Sequence, residues 1–163
     1  MHVVDTEKRQ VQVSVKYCCH LVTNGEQITS PPSSQYQKTI QLTCAHAVVK
    51  YLIAQKTLID GKKVPLFPGV FGIFGHGNVT CISEALEQVQ DVLPTWRGQN
   101  EQSMALAAIG FSKAKLRRQI MVATTSVGPG ATNMVTAAGV AHANRLPVLL
   151  LSGDTYVNRL PDP

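Results

Sequence analysis

Three apolar runs constrain the fold of this chain more than any other feature: GVFGIFG (69–75), RQIMVATTS (118–126) and PVLLLSGD (147–154). None alternates apolar with polar residues, so none reads as a strand with one face in water. Short strands of this kind are buried on both sides, which requires a parallel sheet covered by helices. The intervening segments have helical spacing. TCAHAVVKYLIAQKTLID (43–60) puts Ala45, Val48, Val49, Leu52 and Ile53 on one helical face, with Thr43 placed to cap it. Gly61 and Pro65 break the chain after it. TCISEALEQVQDVL (80–93) repeats the pattern through Ile82, Leu86, Val89 and Leu93, and Pro94 ends it. TWRGQ (95–99) reads as a further short strand. Asn100 then caps a helix whose first turn holds Glu101, and Pro129 and Gly130 open a helix through ATNMVTAAGVAHAN (131–144). The fold class expected is α/β, a doubly wound, mostly parallel sheet of four strands with helices on both faces.

The first 38 residues have a different character. VQVSVKY (11–17) fits one short strand, and TNGEQITSPPSSQYQK (23–38) has the Ser, Pro, Gln and Gly content of a linker. The expected organisation is an arm over 1–38 and one domain over 39–163.

Charge and cysteine content narrow the partners. The formal net charge is +5, and the one basic cluster is Lys113, Lys115, Arg117 and Arg118. Cations suit a helix C-terminus, and no nucleic-acid motif accompanies them, so nucleic acid is not an expected partner. No apolar run is long enough to span a membrane and no signal-peptide pattern is present, so a cytoplasmic protein with free thiols at Cys18, Cys19, Cys44 and Cys81 is expected. Cys44 with His46, and Cys18 and Cys19 with His20, resemble metal pairs, but neither has a second pair at zinc-site spacing; no metal ligand is assigned. Asn78-Val79-Thr80 matches a glycosylation sequon that has no secretion signal to serve it.

In parallel α/β sheets ligands bind at the carboxyl ends of the strands. Three segments fall there: GHGN (75–78), GQNEQ (98–102) and TSVGPGATN (125–133). They should converge in space. Taken alone, each is open to two readings. Gly128-Pro129-Gly130 suits close backbone approach to a ligand or a plain strand-to-helix turn; the Walker lysine and the G-x-G-x-x-G spacing are both absent. His76 among glycines is reactive or idle. Glu101 is the one acid between Asp91 and Asp154, at the mouth of an Ala/Met/Ile surface. A charge there costs free energy unless it is paired, so it is either a helix-start carboxylate or a working one.

Together, GQNEQSMALAAIGFSK and TSVGPGATNMVTAAGVAHANRLPVLLLSGD resemble the pyrimidine-binding (Pyr) domain of thiamine-diphosphate enzymes of the acetohydroxyacid synthase type. That family shows Glu-Gln before an Ala-rich helix, then Thr-Ser-Gly-Pro-Gly-Ala-Thr-Asn, then a Pro-led strand ending in Gly. This chain departs from it by an extra residue, Val127, and by Phe74 and His76 in place of a Pro and a Gly. Those departures, with IFGHGNV, DGKKVPLFPG and the terminal RLPDP, are similar to the branch that hydrolyses trihydroxycyclohexane-1,2-dione in myo-inositol breakdown. The resemblance covers residues 39–163.

What the resemblance implies is specific. Glu101 is the catalytic carboxylate, hydrogen-bonded to N1′ of the cofactor's aminopyrimidine. Gln102 lies near the reaction centre, and Gly128, Pro129, Gly130 and Asn133 shape the cofactor site. His76 is a further catalytic candidate, and His76 and Asn78 are candidates for contact with substrate. The cofactors implied are thiamine diphosphate and Mg²⁺, held mainly by a second domain through a Gly-Asp-Gly…Asn motif that these 163 residues lack. The expectation is therefore an incomplete Pyr domain, an N-terminal fragment inactive alone. Its partners are a cyclic diketone, the diphosphate-binding domain of the same enzyme and further copies in a homo-oligomer. Another thiamine-diphosphate carboligase or decarboxylase, or a non-catalytic interaction module of the same fold, are the alternatives.

Overall fold

The computed structural model describes residues 40–154 in full and, before them, the backbone of three short strands: β1 (His2–Asp5), β2 (Arg9–Gln12) and β3 (Ser14–Val15). β1 and β2 form an antiparallel pair, and β3 lies parallel to β4 (Gln41–Leu42). Strand structure within 11–17 was expected from VQVSVKY; its division into two strands, and the partner β1, were not. The linker 23–38, Cys18, Cys19, His20 and the terminal RLPDP lie outside the described residues.

α1 (Cys44–Ala54) starts where the sequence says it should. The Thr43 side chain accepts a hydrogen bond from the His46 amide at 3.2 Å, satisfying one of the orphan donors of the first turn. Its apolar face buries Ala47, Val49 and Leu52. The helical reading of 43–60 fails beyond Ala54. β5 (Lys56–Ile59) and β6 (Lys62–Pro65) pair antiparallel around a two-residue turn, with Ile59 opposite Lys62. Asp60 (φ 51°) and Gly61 (φ 78°) both take the left-handed backbone that such a turn demands, and Asp-Gly is a favoured pair for it. The hairpin's alternation of exposed and half-buried positions outweighs the helical spacing of Leu58 and Ile59.

The remaining elements build the sheet. β7 (Val70–Ile73) is followed by α2 (Gly77–Thr80) and α3 (Ile82–Glu87). β8 (Thr95–Arg97) leads into α4 (Glu101–Ala114), and β9 (Val122–Thr125) into α5 (Pro129–Asn133) and α6 (Val135–Asn144). β10 (Leu149–Ser152) completes a four-stranded sheet in the order β10-β9-β7-β8, parallel throughout. The continuous helices read over 80–93 and 131–144 are each interrupted, at Cys81 and at Met134, and helix α3 ends at Glu87.

Side chains of the strands divide between two cores. Val70, Val122, Leu149 and Leu151 pack with Val49 and Leu52 of α1 and with Ala85 and Leu86 of α3. Phe71, Ile73, Ala123 and Leu150 pack on the opposite face with Met104, Ala105 and Ile109 of α4 and with Ala137 and Ala141 of α6. This is the period-two alternation of a strand buried on both faces. Each fully buried Val or Leu contributes about 1.5–3 kcal/mol, so the two cores together fix the register. The doubly wound α/β class expected from the sequence is what the structure shows.

The topology also fixes where a ligand fits. β7 and β9 are neighbours, but β7 leads outward to edge strand β8, while β9 leads the opposite way to β10. The crevice beyond the carboxyl ends of β7 and β9 is therefore a topological switch point, the usual binding place in such sheets.

Candidate functional site

Glu101 is the first residue of α4, directly beyond the end of β8. Asn100 caps the helix: its Oδ1 accepts from the Ser103 amide at 3.0 Å and from the Ser103 hydroxyl at 3.3 Å. The capping fixes the entry angle of the chain and holds Glu101, half-buried, at the sheet's carboxyl edge. Across the gap, the turn after β9 enters α5 through Gly128, whose φ of 68° and ψ of −120° suit glycine and no L residue well, with Pro129 pre-set for the first helical position.

The two segments meet through one hydrogen bond. Asn133 Nδ2 donates to Glu101 Oε2 at 2.9 Å, joining the end of α5 to the start of α4. The second carboxylate oxygen lies beside Gly130: a Cβ at that position would come within 3.3 Å of Glu101 Oε1 and 2.8 Å of Ser126 Oγ. Gly130 is thus needed for close approach, and the carboxylate sits against bare backbone. The result is an open cleft of about 800 Å³ walled by Glu101, Gly128, Pro129, Gly130 and Asn133.

Those five residues were expected from the sequence, and the structure brings them together. Thr132 and Thr136 also line the cleft and were missed. Thr132 lies on α5 and Thr136 on α6, across the break at Met134, so no single helical periodicity announces the pair. Gln102, next to Glu101 on the helix, is half-buried and does not line the cleft.

The GHGN segment lies at the same edge of the sheet but contributes differently. Asn78 Nδ2 donates to the Thr125 carbonyl at 2.7 Å, tying the turn after β7 to the end of β9. His76 is exposed and outside the lining of the cleft. Its backbone, at φ 48° and ψ −132°, occupies nearly the same region as Gly128, although it carries a Cβ. The Asn78 amide donates to the Gly75 carbonyl at 3.0 Å and closes this turn.

Among the described residues no group of three or more His, Cys, Asp or Glu side chains is placed to hold a metal ion. Cys44 and Cys81 are exposed free thiols. No helix among the described residues is long and apolar enough to cross a membrane.

A parallel α/β sheet with a carboxylate and a glycine-lined cleft beyond the carboxyl ends of β8 and β9 has its concavity where such sheets bind ligands. Residues 68–161 match the model of the thiamine pyrophosphate enzyme N-terminal TPP binding domain, and the chain belongs to that family. Over 126 residues it is 58% identical to the 3D-(3,5/4)-trihydroxycyclohexane-1,2-dione hydrolase of Shouchella clausii. The proteins of that name from Geobacillus thermodenitrificans (55% over 125 residues) and Bacillus subtilis (53% over 126) are similar in the same way. Each match covers 77% of this chain and 20% of the relative, so the chain spans about a fifth of the length of the curated relatives it matches.

Proposed function

We propose that this chain is the aminopyrimidine-binding part of a thiamine-diphosphate-dependent hydrolase that opens a cyclic 1,2-diketone, trihydroxycyclohexane-1,2-dione, by C–C cleavage in inositol catabolism. The observation that carries the reading is the Glu101 carboxylate, held by Asn133 on one oxygen and facing bare backbone at Gly130 on the other. The residues present fit the cofactor. An aminopyrimidine is a flat ring that needs close approach, and a missing Cβ at 130 leaves that room. Its N1′ needs an acid partner, and Glu101 is the one carboxylate lining the cleft. When bound, the cofactor supplies a carbon nucleophile for addition to a carbonyl.

The chain's own groups have separable tasks in this reading. Glu101 exchanges a proton at N1′ and thereby controls the basicity of the neighbouring amino group. Asn133 keeps the carboxylate from rotating by engaging Oε2. Gly128, Pro129 and Gly130 position the ring through backbone contacts. Gln102 is proposed beside the cofactor near the reaction centre, and His76 and Asn78 near the substrate, with Asn78 also bracing the β9 turn through Thr125. Mg²⁺ and the cofactor's diphosphate would be held by a separate domain of the same enzyme; this cleft offers a single carboxylate, already engaged by Asn133. Residues 39–163 form the cofactor-binding domain in this reading and 1–38 an arm outside it. The exposed apolar residues Leu106, Val135 and Val140 on α4 and α6 support burial of that side in a homo-oligomer. The exposed thiols of Cys44 and Cys81 support a reducing, cytoplasmic setting.

The test is turnover by the complete protein loaded with thiamine diphosphate and Mg²⁺. It should convert the cyclic dione to a ring-opened product one water heavier, read by mass spectrometry. Glu101→Gln should lower the rate by about 10²–10⁴-fold, the usual contribution of a positioned acid–base group. A Glu101→Gln enzyme with unaltered turnover would refute the assignment.

A further inference from the structure

The second concavity of interest lies at the other edge of the sheet, beside the amino ends of β7 and β9, where the Ile120 amide donates to the Leu66 carbonyl at 2.9 Å. It has a volume of about 340 Å³ and lies between the β5–β6 hairpin and the segment that follows α4. Lys62, Lys115 and Arg118 line it against a single carboxylate, Asp60, and half-buried Ile59 and Val64 form an apolar wall. We propose that this is a binding site for a compact dianion of the phosphomonoester class, separate in place from the Glu101 cleft.

Three observations carry the proposal. The first is convergence. Lys115 and Arg118 belong to the basic cluster a solvated helix end would explain, but Lys62 comes from a hairpin more than fifty residues earlier. Three cations line this concavity against one carboxylate; Arg118 pairs with Asp60 and Lys115 Nζ lies 5.7 Å from the Phe111 ring centroid, so an excess of positive charge remains to favour an added anion. Lys113, from the same cluster, does not line it.

The second is the backbone. Leu116 and Arg117 are consecutive non-glycine residues in the left-handed region, at φ 53° and 63°. Such conformations cost free energy and persist only where the surroundings impose them. Here the Arg117 amide donates to the Ser112 carbonyl at 2.8 Å. The Arg117 guanidinium donates to the carbonyls of Arg145 (3.0 Å) and Asn144 (3.3 Å) at the end of α6. The turn sends Arg117 one way and returns Arg118 over Lys115, with the Arg118 amide on the Lys115 carbonyl at 3.0 Å. Gln119 Nε2 donates to the Pro65 carbonyl at 2.8 Å and locks this segment to the hairpin.

The third is the state of Arg118. Its Nη1 donates to Asp60 Oδ1 at 3.2 Å, across an exposed pair. An exposed pair of this kind is worth little and is readily exchanged. A phosphoryl group presents several oxygens to a guanidinium fork and would displace Asp60 from it. Asp60 is then a competitor for Arg118, and this sets the sign of the test. The volume suits a phosphate with a small organic substituent.

The test is calorimetric titration of the complete protein, saturated with thiamine diphosphate and Mg²⁺ so that the cofactor's own diphosphate site cannot report. Inorganic phosphate and glycerol 3-phosphate are the two probes. Saturable binding of one equivalent is expected. Equal affinities assign the site to the phosphoryl group alone, and tighter binding of glycerol 3-phosphate adds a role for the Ile59–Val64 wall. Arg118→Ala should weaken binding by about tenfold or more, the loss expected for a hydrogen bond between charged groups. Lys113→Ala should leave it unchanged. Asp60→Asn should tighten binding about two- to tenfold, because it removes the competing charge. Failure of both probes to saturate the site would overturn the proposal. So would an unchanged affinity in Arg118→Ala, or weaker binding in Asp60→Asn. The readout does not involve Glu101, so the outcome is independent of the proposed catalytic role.

Discussion

The turn after β7 and the turn after β9 are the same device built from different residues. Both leave a buried parallel strand and enter a short helix through one residue with positive φ and ψ near −120 to −130°: His76 in the first and Gly128 in the second. In the β9 turn the residue is glycine, and the backbone is bare where it faces the cleft. In the β7 turn a histidine occupies the same strained geometry, exposed to solvent, while the neighbouring Asn78 reaches across to the β9 strand. The same turn geometry therefore carries different strain and a different surface at the two strand ends. One is relaxed and allows an object to approach its backbone. The other holds a side chain with a Cβ in strained backbone, exposed to solvent and outside the lining of the cleft.

Gly130→Ala should have the largest effect on this pair of turns. Its Cβ would press on Ser126 Oγ at 2.8 Å and on Glu101 Oε1 at 3.3 Å. Overpacking of this kind costs about 1–3 kcal/mol. Urea unfolding should show the loss, and an unchanged midpoint would mean the β9 turn is less closely fitted than described. A reciprocal exchange comes next. Gly128→His should destabilise by about 1–2 kcal/mol through backbone strain alone, because no atom lies within 4 Å of a Cβ there. His76→Gly should instead stabilise by about 0.5–2 kcal/mol, the relief of strain less the entropy that glycine loses on folding. His76→Ala keeps the Cβ and should change little. If His76→Gly destabilises, the two turns are not equivalent. The smallest effect belongs to Asn78→Ala, about 0.5–1 kcal/mol, the low end for a lost hydrogen bond. The Thr125 carbonyl it leaves also accepts from the Gly153 amide at 3.0 Å, so it is not stranded.

Much of the sheet was legible from particular residues. Val70, Val122 and Leu149 announce strands without a polar face, and Thr43 and Asn100 mark helix starts because their side chains can accept the first orphan amides. The β5–β6 hairpin was not read, although Asp60-Gly61 carries a strong turn signal, because Leu58 and Ile59 prolong the apolar spacing of α1. The breaks at Cys81 and Met134 have no Gly or Pro to mark them. In the cleft, Glu101 and Asn133 are separated by 32 positions, and nothing local in either segment foretells their hydrogen bond. The family resemblance brought them together, and the topology of β8 and β9 explains why they meet.

On the function proposed above, the carboxylate of Glu101 serves the cofactor rather than the helix. The most direct measurement is proton–deuterium exchange at C2 of thiamine diphosphate bound to the complete protein, followed by NMR for the native residue and for Glu101→Gln. The glutamine keeps the size of the side chain and the possibility of a hydrogen bond but cannot exchange a proton. Exchange should be slower by about 10²–10⁴-fold in the variant, with folding and cofactor binding nearly intact. An exchange rate that does not change would contradict it and leave Glu101 as a helix-start carboxylate held by Asn133.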